Sequence, residues 1–190
     1  MADQYGWRLY ATDDVMSDHA RRTTAEEAPF LHRFMAMDMD ERWVNRSPVT
    51  MLETFHWFRG EGFGLIVEDL LRLPSQPCVI VEGFRLLPHL VKPLLAVSGH
   101  AVWLLPSPDF RRTAIQGRTA PGEGFIRKTS DPERAGRNIA ERDHAFVERL
   151  HEETRRLGLH AIEADTTMTE DDLANRVSET FLGRRSAPPG

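Results

Sequence analysis

The stretch Val79-Ile80-Val81-Glu82-Gly83 constrains this chain more than any other. Three consecutive β-branched residues, with Pro77 ahead and Gly83 behind, do not alternate apolar and polar as a strand with one wet face does. The run therefore predicts a strand of a parallel sheet, buried on both faces. Parallel strands need long crossover connections, which are usually helices, so an α/β fold follows. In open α/β sheets ligands lie at the carboxyl edge, so this strand would carry Glu82 to a ligand. A solvated carboxylate at a strand end is the plainer alternative for the same residue.

The rest of the chain supplies companions for that strand. Trp7 to Ala11 predicts a short strand running into Thr12-Asp13-Asp14, His100 to Leu105 a buried strand, and His160 to Ala164 the last one. Between them lie helical patterns. Ser17 to about Arg46 is helical in composition, with Pro29 as a break or a start. Ser47-Pro48 caps and opens a helix carrying Met51, Leu52, Phe55 and Phe58 on one face. Leu65 to Leu73 is a further helix, and Leu86 to Ala96 an irregular one interrupted at Pro88 and Pro93. Asp109 to Arg118 reads as a short basic helix, and Thr119 to Ser130 as a loop. Asp131-Pro132 starts the longest helix, which Gly158 stops. Thr169-Glu170-Asp171-Asp172 opens the final helix through a capping-box pattern, and the residues after Gly183 read as a frayed tail.

Bulk properties exclude some functions. A length of 190 residues suits one domain. A formal net charge of -5 lacks the positive surplus that a nucleic-acid or anionic-membrane binder needs. No apolar run approaches a membrane span, and Met1 to Tyr5 lacks the pattern of a signal peptide. The single cysteine, Cys78, has no disulfide partner in the chain and reads as a small buried hydrophobe. A cytoplasmic protein is the expectation. The eight histidines show no metal-ligand spacing, and His19, His32 and His56 read as structural or solvent-facing. The sequence does not indicate an oligomeric state.

The order of these elements is similar to that of small-molecule kinases of the P-loop superfamily, in detail the uridine, gluconate and shikimate kinases, over nearly the whole chain. The features that carry the resemblance are the strand ending in Thr12-Asp13-Asp14, the strand ending in Val79 to Gly83, the segment Arg111 to Arg118, and a final strand, loop and helix. The resemblance implies one parallel sheet with helices on both faces, and ATP with Mg²⁺ at its carboxyl edge. It further implies that Glu82 serves the metal or its waters and that Asp13 or Asp14 grips the acceptor hydroxyl. Adjacent side chains on an extended chain point opposite ways, so one of the two acids would cap the following helix, and Asp13 is preferred for the chemistry. Cap and turn roles for both remain the alternative. Arg111, Arg112 and Arg118 match lid arginines that close over phosphates, a task suited to planar guanidinium forks. Arg137 and Arg142 on the next helix could face the same site, but i, i+4 pairing or solvent exposure is the expectation for them. Asp165 and Thr166 match the loop that packs on adenine. The helical region 17–73, rich in aromatic and basic residues, would choose the acceptor: a nucleoside, a sugar acid or an antibiotic-like aromatic.

One part of that pattern is missing. Such kinases cradle the phosphates with Gly-x-x-x-x-Gly-Lys followed by Ser or Thr, and no such run occurs in these residues. Gly122 to Thr129 has the letters at the wrong spacing and follows the strands it should precede. Two explanations compete: a kinase shortened at its N-terminus and inactive as written, or a degenerate relative that binds a ligand or partner without catalysis. In the family's strand order the absent first strand is central, between the strands ending at Glu82 and Leu105. Apolar strand edges should therefore be exposed.

Overall fold

The computed structural model describes residues 2–107, 110 and 124–182. Helix α1 (Ala2–Tyr5) leads into strand β1 (Arg8–Ala11), followed by α2 (Met16–Arg22), α3 (Pro29–Ala36), α4 (Met39–Trp43) and α5 (Pro48–Thr54). A 3₁₀ turn, His56–Arg59, precedes α6 (Phe63–Arg72) and strand β2 (Val79–Glu82). Then come α7 (Pro88–Val91), two further 3₁₀ turns, and strand β3 (Val102–Pro106). After the 3₁₀ turn Ile126–Lys128 follow the long helix α8 (Pro132–Leu157), strand β4 (His160–Ala164) and helix α9 (Glu170–Leu182).

The chain caps its helices as the sequence leads one to expect. Ser47 accepts a hydrogen bond from the Thr50 amide and Pro48 takes the first position of α5. Asp131 does the same for Arg134 ahead of α8, which ends on Gly158 in the left-handed conformation. Thr169 and Asp172 form a reciprocal capping box at the start of α9. At α2 the expectation fails: Val15 holds the cap position without a side-chain bond, so neither Asp13 nor Asp14 caps it. Helix α3 recruits a distant cap, since Ala28 has no acceptor and the Glu61 carboxylate takes the amides of Phe30 and Leu31 at 3.0 and 2.8 Å.

All strand pairing is parallel, as expected for an α/β chain, yet the described strands do not make one sheet. β1 pairs with β2 in the register Arg8 to Val79 through Ala11 to Glu82, and β3 pairs with β4 from Val102 with His160 to Pro106 with Ala164. The result is two separate two-stranded sheets, β1-β2 and β3-β4. In chain order the break comes after β2, before the strand ending at Pro106. Val79, Ile80 and Val81 are accordingly only half-buried, although the sequence predicts full burial on both faces. Cys78 departs from expectation for a related reason: it lies ahead of β2, after the exposed Pro77, and is itself exposed.

The main core lies under β3 and reaches the β1-β2 pair through the segment that follows β2. Leu52, Phe58, Leu87, Trp103, Leu105, Phe146 and Leu150 form its buried cluster. The Trp103 indole N–H donates to the Leu86 carbonyl at 3.0 Å, tying β3 to the segment that follows β2. Phe146 of α8 stacks on Phe58 at 3.6 Å between centroids, and Asn138, two turns earlier, donates to the carbonyls of Trp43, Val44 and Arg46. Helix α8 thereby fastens the helical region to the strands. No described helix is long and apolar enough to cross a membrane.

Candidate functional site at the carboxyl ends of β1 and β2

Register alone brings the two strand-end acids together. Ala11 lies opposite Glu82, and the Thr12 amide donates to the Glu82 carbonyl at 2.9 Å, so Asp13 and Glu82 leave the pair at the same end. Gly83 makes the closeness feasible. Its φ is +132°, and a Cβ there would lie 1.8 Å from Thr12 Oγ1 and 3.2 Å from an Asp13 carboxylate oxygen. Asp13, Asp14 and Glu82 are all exposed, and among the described residues Glu82's carboxylate has no hydrogen-bond partner. Asp13's nearest side-chain partner is Thr12 Oγ1 at 3.4 Å.

Beneath this edge lies a buried polar network that sequence reasoning missed. His19 is fully buried and Arg85 is 2 % exposed. Arg85 Nη2 lies 3.0 Å from His19 Nδ1, and His19 Nε2 lies 2.7 Å from Asp69 Oδ2. Because a guanidinium can only donate, Nδ1 must accept, and the ring proton sits on Nε2 and is donated to Asp69. Tyr10 O–H and Arg22 also donate to Asp69, each at 2.8 Å. Burial would raise the Asp69 carboxyl, but the hydrogen bonds from His19, Arg22 and Tyr10 outweigh it and hold it well below the usual carboxylate range. Burial and the bond to Asp69 push the Tyr10 phenol up to about 12. Arg85 also donates to the Thr12 and Gly62 carbonyls and lies 4.1 Å over the Trp57 ring. Gly62, at φ +75°, leaves room for it: a Cβ would meet Arg85 Nη2 at 3.1 Å and the Trp57 ring at 3.2 Å. Asp69 thus orients His19, His19 orients Arg85, and Arg85 braces the turn that carries Asp13. Arg85's place three residues after Glu82, inside an apolar stretch, was the one available sequence signal.

A second cluster adjoins the first through Trp57, whose ring lies 4.4 Å from that of His56. The His56 ring also contacts Phe55 at 4.7 Å and Phe34 at 5.0 Å. Arg142 is 7 % exposed, contrary to the solvent-facing position expected for it. The hydrophobic face of α8 turns it inward, where its guanidinium lies 4.7 Å from Phe55, 5.3 Å from Phe58 and 5.4 Å from Trp43. Burial, and after it the guanidiniums of Arg85, Arg142 and Arg42, pushes His56 down to about 3, so it is neutral at physiological pH.

The other sequence candidates lie apart from this region or beyond the description. Arg111, Arg112 and Arg118 fall outside the described residues, as does most of the expected lid. Asp165 follows β4 and is engaged in its own turn, accepting from the Thr167 amide at 2.7 Å and from the Thr167 hydroxyl, which holds its carboxyl below the ordinary range. Thr166 is exposed beside it. Among the described residues no three of His, Cys, Asp or Glu gather where they could hold a metal ion. With no phosphate-cradling loop in the sequence either, these residues do not by themselves fit Mg²⁺ or nucleotide phosphates. No family model, curated protein or solved structure matches the chain.

Proposed function

We propose that these residues are the acceptor-binding and hydroxyl-orienting part of an ATP-dependent phosphotransferase acting on a small metabolite, inactive without a phosphate loop. The observation that carries this reading is the separation of the described parallel strands into two pairs, β1-β2 and β3-β4, where the resemblance expects one sheet with its first strand between the pairs. The half-buried Val79 to Val81 fits it, because such a run is fully buried when helices cover both faces of a wider parallel sheet. In this reading a strand ending in a phosphate loop lies between the two pairs, and the loop emerges beside Asp13 and Glu82. Asp13, braced by Thr12 and Arg85, orients the acceptor hydroxyl and takes its proton as the oxygen attacks. Glu82 would serve the metal only when that loop supplies the remaining ligands.

The test is calorimetric. Residues 1–190 should show no saturable Mg-ATP binding in the micromolar range, and such binding would overturn the assignment of the missing part. In a chain completed with an apolar strand and phosphate loop, Asp13→Asn should abolish phosphotransfer while sparing ATP affinity.

The absence of the loop from the sequence also favours a second reading, a non-catalytic binding module on the same scaffold. The in-frame DNA upstream of the Met1 codon discriminates: an apolar strand followed by the loop favours the kinase, and an immediate stop codon favours the module.

A further inference from the structure

Guanidinium groups outnumber the carboxylates that contact them directly around the aromatic cluster. Among the described residues Arg42 and Arg46 have no ion pair and donate to backbone carbonyls, Arg46 also to Met37 Sδ and the Thr54 hydroxyl, while Arg85 reaches the Asp69 carboxylate only through His19. Arg142 alone has a carboxylate, Asp143, which takes Nε at 2.8 Å and Nη2 at 2.7 Å. That leaves Arg142 Nη1 buried and without a hydrogen bond, as are His56 Nδ1 and, across Trp57, Arg85 Nε; of these the Arg142 and His56 groups both rest on the Phe55 ring at 4.7 Å. A buried N–H of a cation left unmatched is costly, more so than a neutral one. A net charge of -5 makes the local excess of cations stand out further.

The cluster also has an apolar way in. Phe84, 37 % exposed, meets Phe58 edge-on at 6.0 Å, and Phe125, 44 % exposed, lies 5.4 Å from Trp43. Each exposed ring is thus one ring removed from the Arg142 guanidinium. Phe84 immediately follows Glu82-Gly83, so this rim adjoins the end of β2 where Asp13 sits.

We propose that Arg142 and His56 form the floor of a site for a small-molecule oxyanion, a carboxylate or phosphate monoester on a planar or apolar body. Arg142 Nη1 donates to one oxygen, His56 donates through Nδ1 in the tautomer that places its proton there, and the aromatic rings flank the body. Entry requires the rim rings of Phe84 and Phe125 to turn aside. The site rests on the phosphotransferase reading only in taking its ligand for the acceptor; it narrows the acceptor to an anionic molecule whose hydroxyl reaches Asp13.

Calorimetric titration with benzoate and with phenyl phosphate, and with benzamide as the uncharged match, tests this without nucleotide. Saturable binding of at least one anion and none of benzamide is expected, and the preferred anion separates carboxylate from phosphate ligands. Arg142→Met should weaken binding at least about tenfold, the loss of one charge-assisted contact, whereas Arg149→Met on the exposed part of the same helix should bind as wild type. Asp143→Asn frees Arg142 and should tighten binding, which decides the matter if Arg142→Met fails to fold. No binding of either anion, equal affinity in Arg142→Met, equal loss in Arg149→Met, or no change in Asp143→Asn would each overturn the proposal. Because no ATP is present, failure here leaves the Mg-ATP result standing, and the reverse holds as well.

Discussion

Two polar clusters lie on either side of the Trp57 ring, one gathered on a carboxylate and the other on aromatic rings. Around Asp69, Tyr10, His19 and Arg22 all direct protons at one carboxylate. Around Phe55, His56 and Arg142 share rings and a positive field, and each retains a buried nitrogen without a hydrogen bond, as does Arg85 Nε across the Trp57 ring; no carboxylate gathers their donors as Asp69 does. Burial of charge is tolerated when it is paired and bonded, and is costly when it is not. The first cluster therefore reads as a brace for the strand ends and the second as a place where stability yields to binding.

The largest effect should come from breaking the cluster gathered on Asp69. Asp69→Ala leaves His19, Tyr10 and Arg22 without their common acceptor and should cost about 3 kcal/mol in urea unfolding, the upper range for stranding a buried donor, here the His19 N–H. Gly83→Ala comes next. Its Cβ would collide with Thr12 Oγ1 at a φ only glycine adopts comfortably, and a loss of about 2 kcal/mol is expected by the same measurement. In the aromatic cluster Arg142→Met should cost less than about 1 kcal/mol, because an apolar chain of similar length replaces a charge with an orphaned donor. A loss as large as that of Asp69→Ala would erase the contrast between the clusters.

Acidification sharpens the comparison further. His56 binds its proton at about pH 3 in the folded protein, below the ordinary value near 6.5 of the unfolded chain. The unfolded state therefore binds more protons between these values, and the stability His56 contributes is present above about pH 6.5 and lost as the pH falls. The slope attributable to it is about 1.4 kcal/mol per pH unit in that window, and His56→Gln should flatten the profile between roughly pH 4 and 6. The depressed Asp69 carboxyl acts in the same direction at lower pH: its stabilisation is present above the ordinary carboxylate range and fades below it.

Much of the scaffold was legible because it depends on local chemistry. The strand Val79 to Glu82, the Ser47-Pro48 and Asp131-Pro132 helix starts, and the Gly158 stop each follow from a few adjacent residues. The site was less so. Asp13 and Glu82 could be placed at one edge from strand order, but Asp69 contacts Tyr10 and His19 from 59 and 50 residues away, and no short pattern announces that. Arg142 was misread as solvent-facing because an arginine within a charged helix resembles its neighbours until Phe55, Phe58 and Trp43 are seen to surround it. Cys78 was misread because its apolar neighbours belong to a strand it only precedes.

The measurement that bears most directly on the account is Mg-ATP calorimetry on two chains: residues 1–190, and the same residues preceded by an apolar strand and a Gly-x-x-x-x-Gly-Lys-Ser loop with its helix. The account predicts no saturable binding by the first and micromolar binding by the second, lost when the loop lysine is replaced by alanine. Micromolar binding by the first chain, or none by a second chain whose β2 and β3 amides have gained protection from hydrogen exchange, would contradict it.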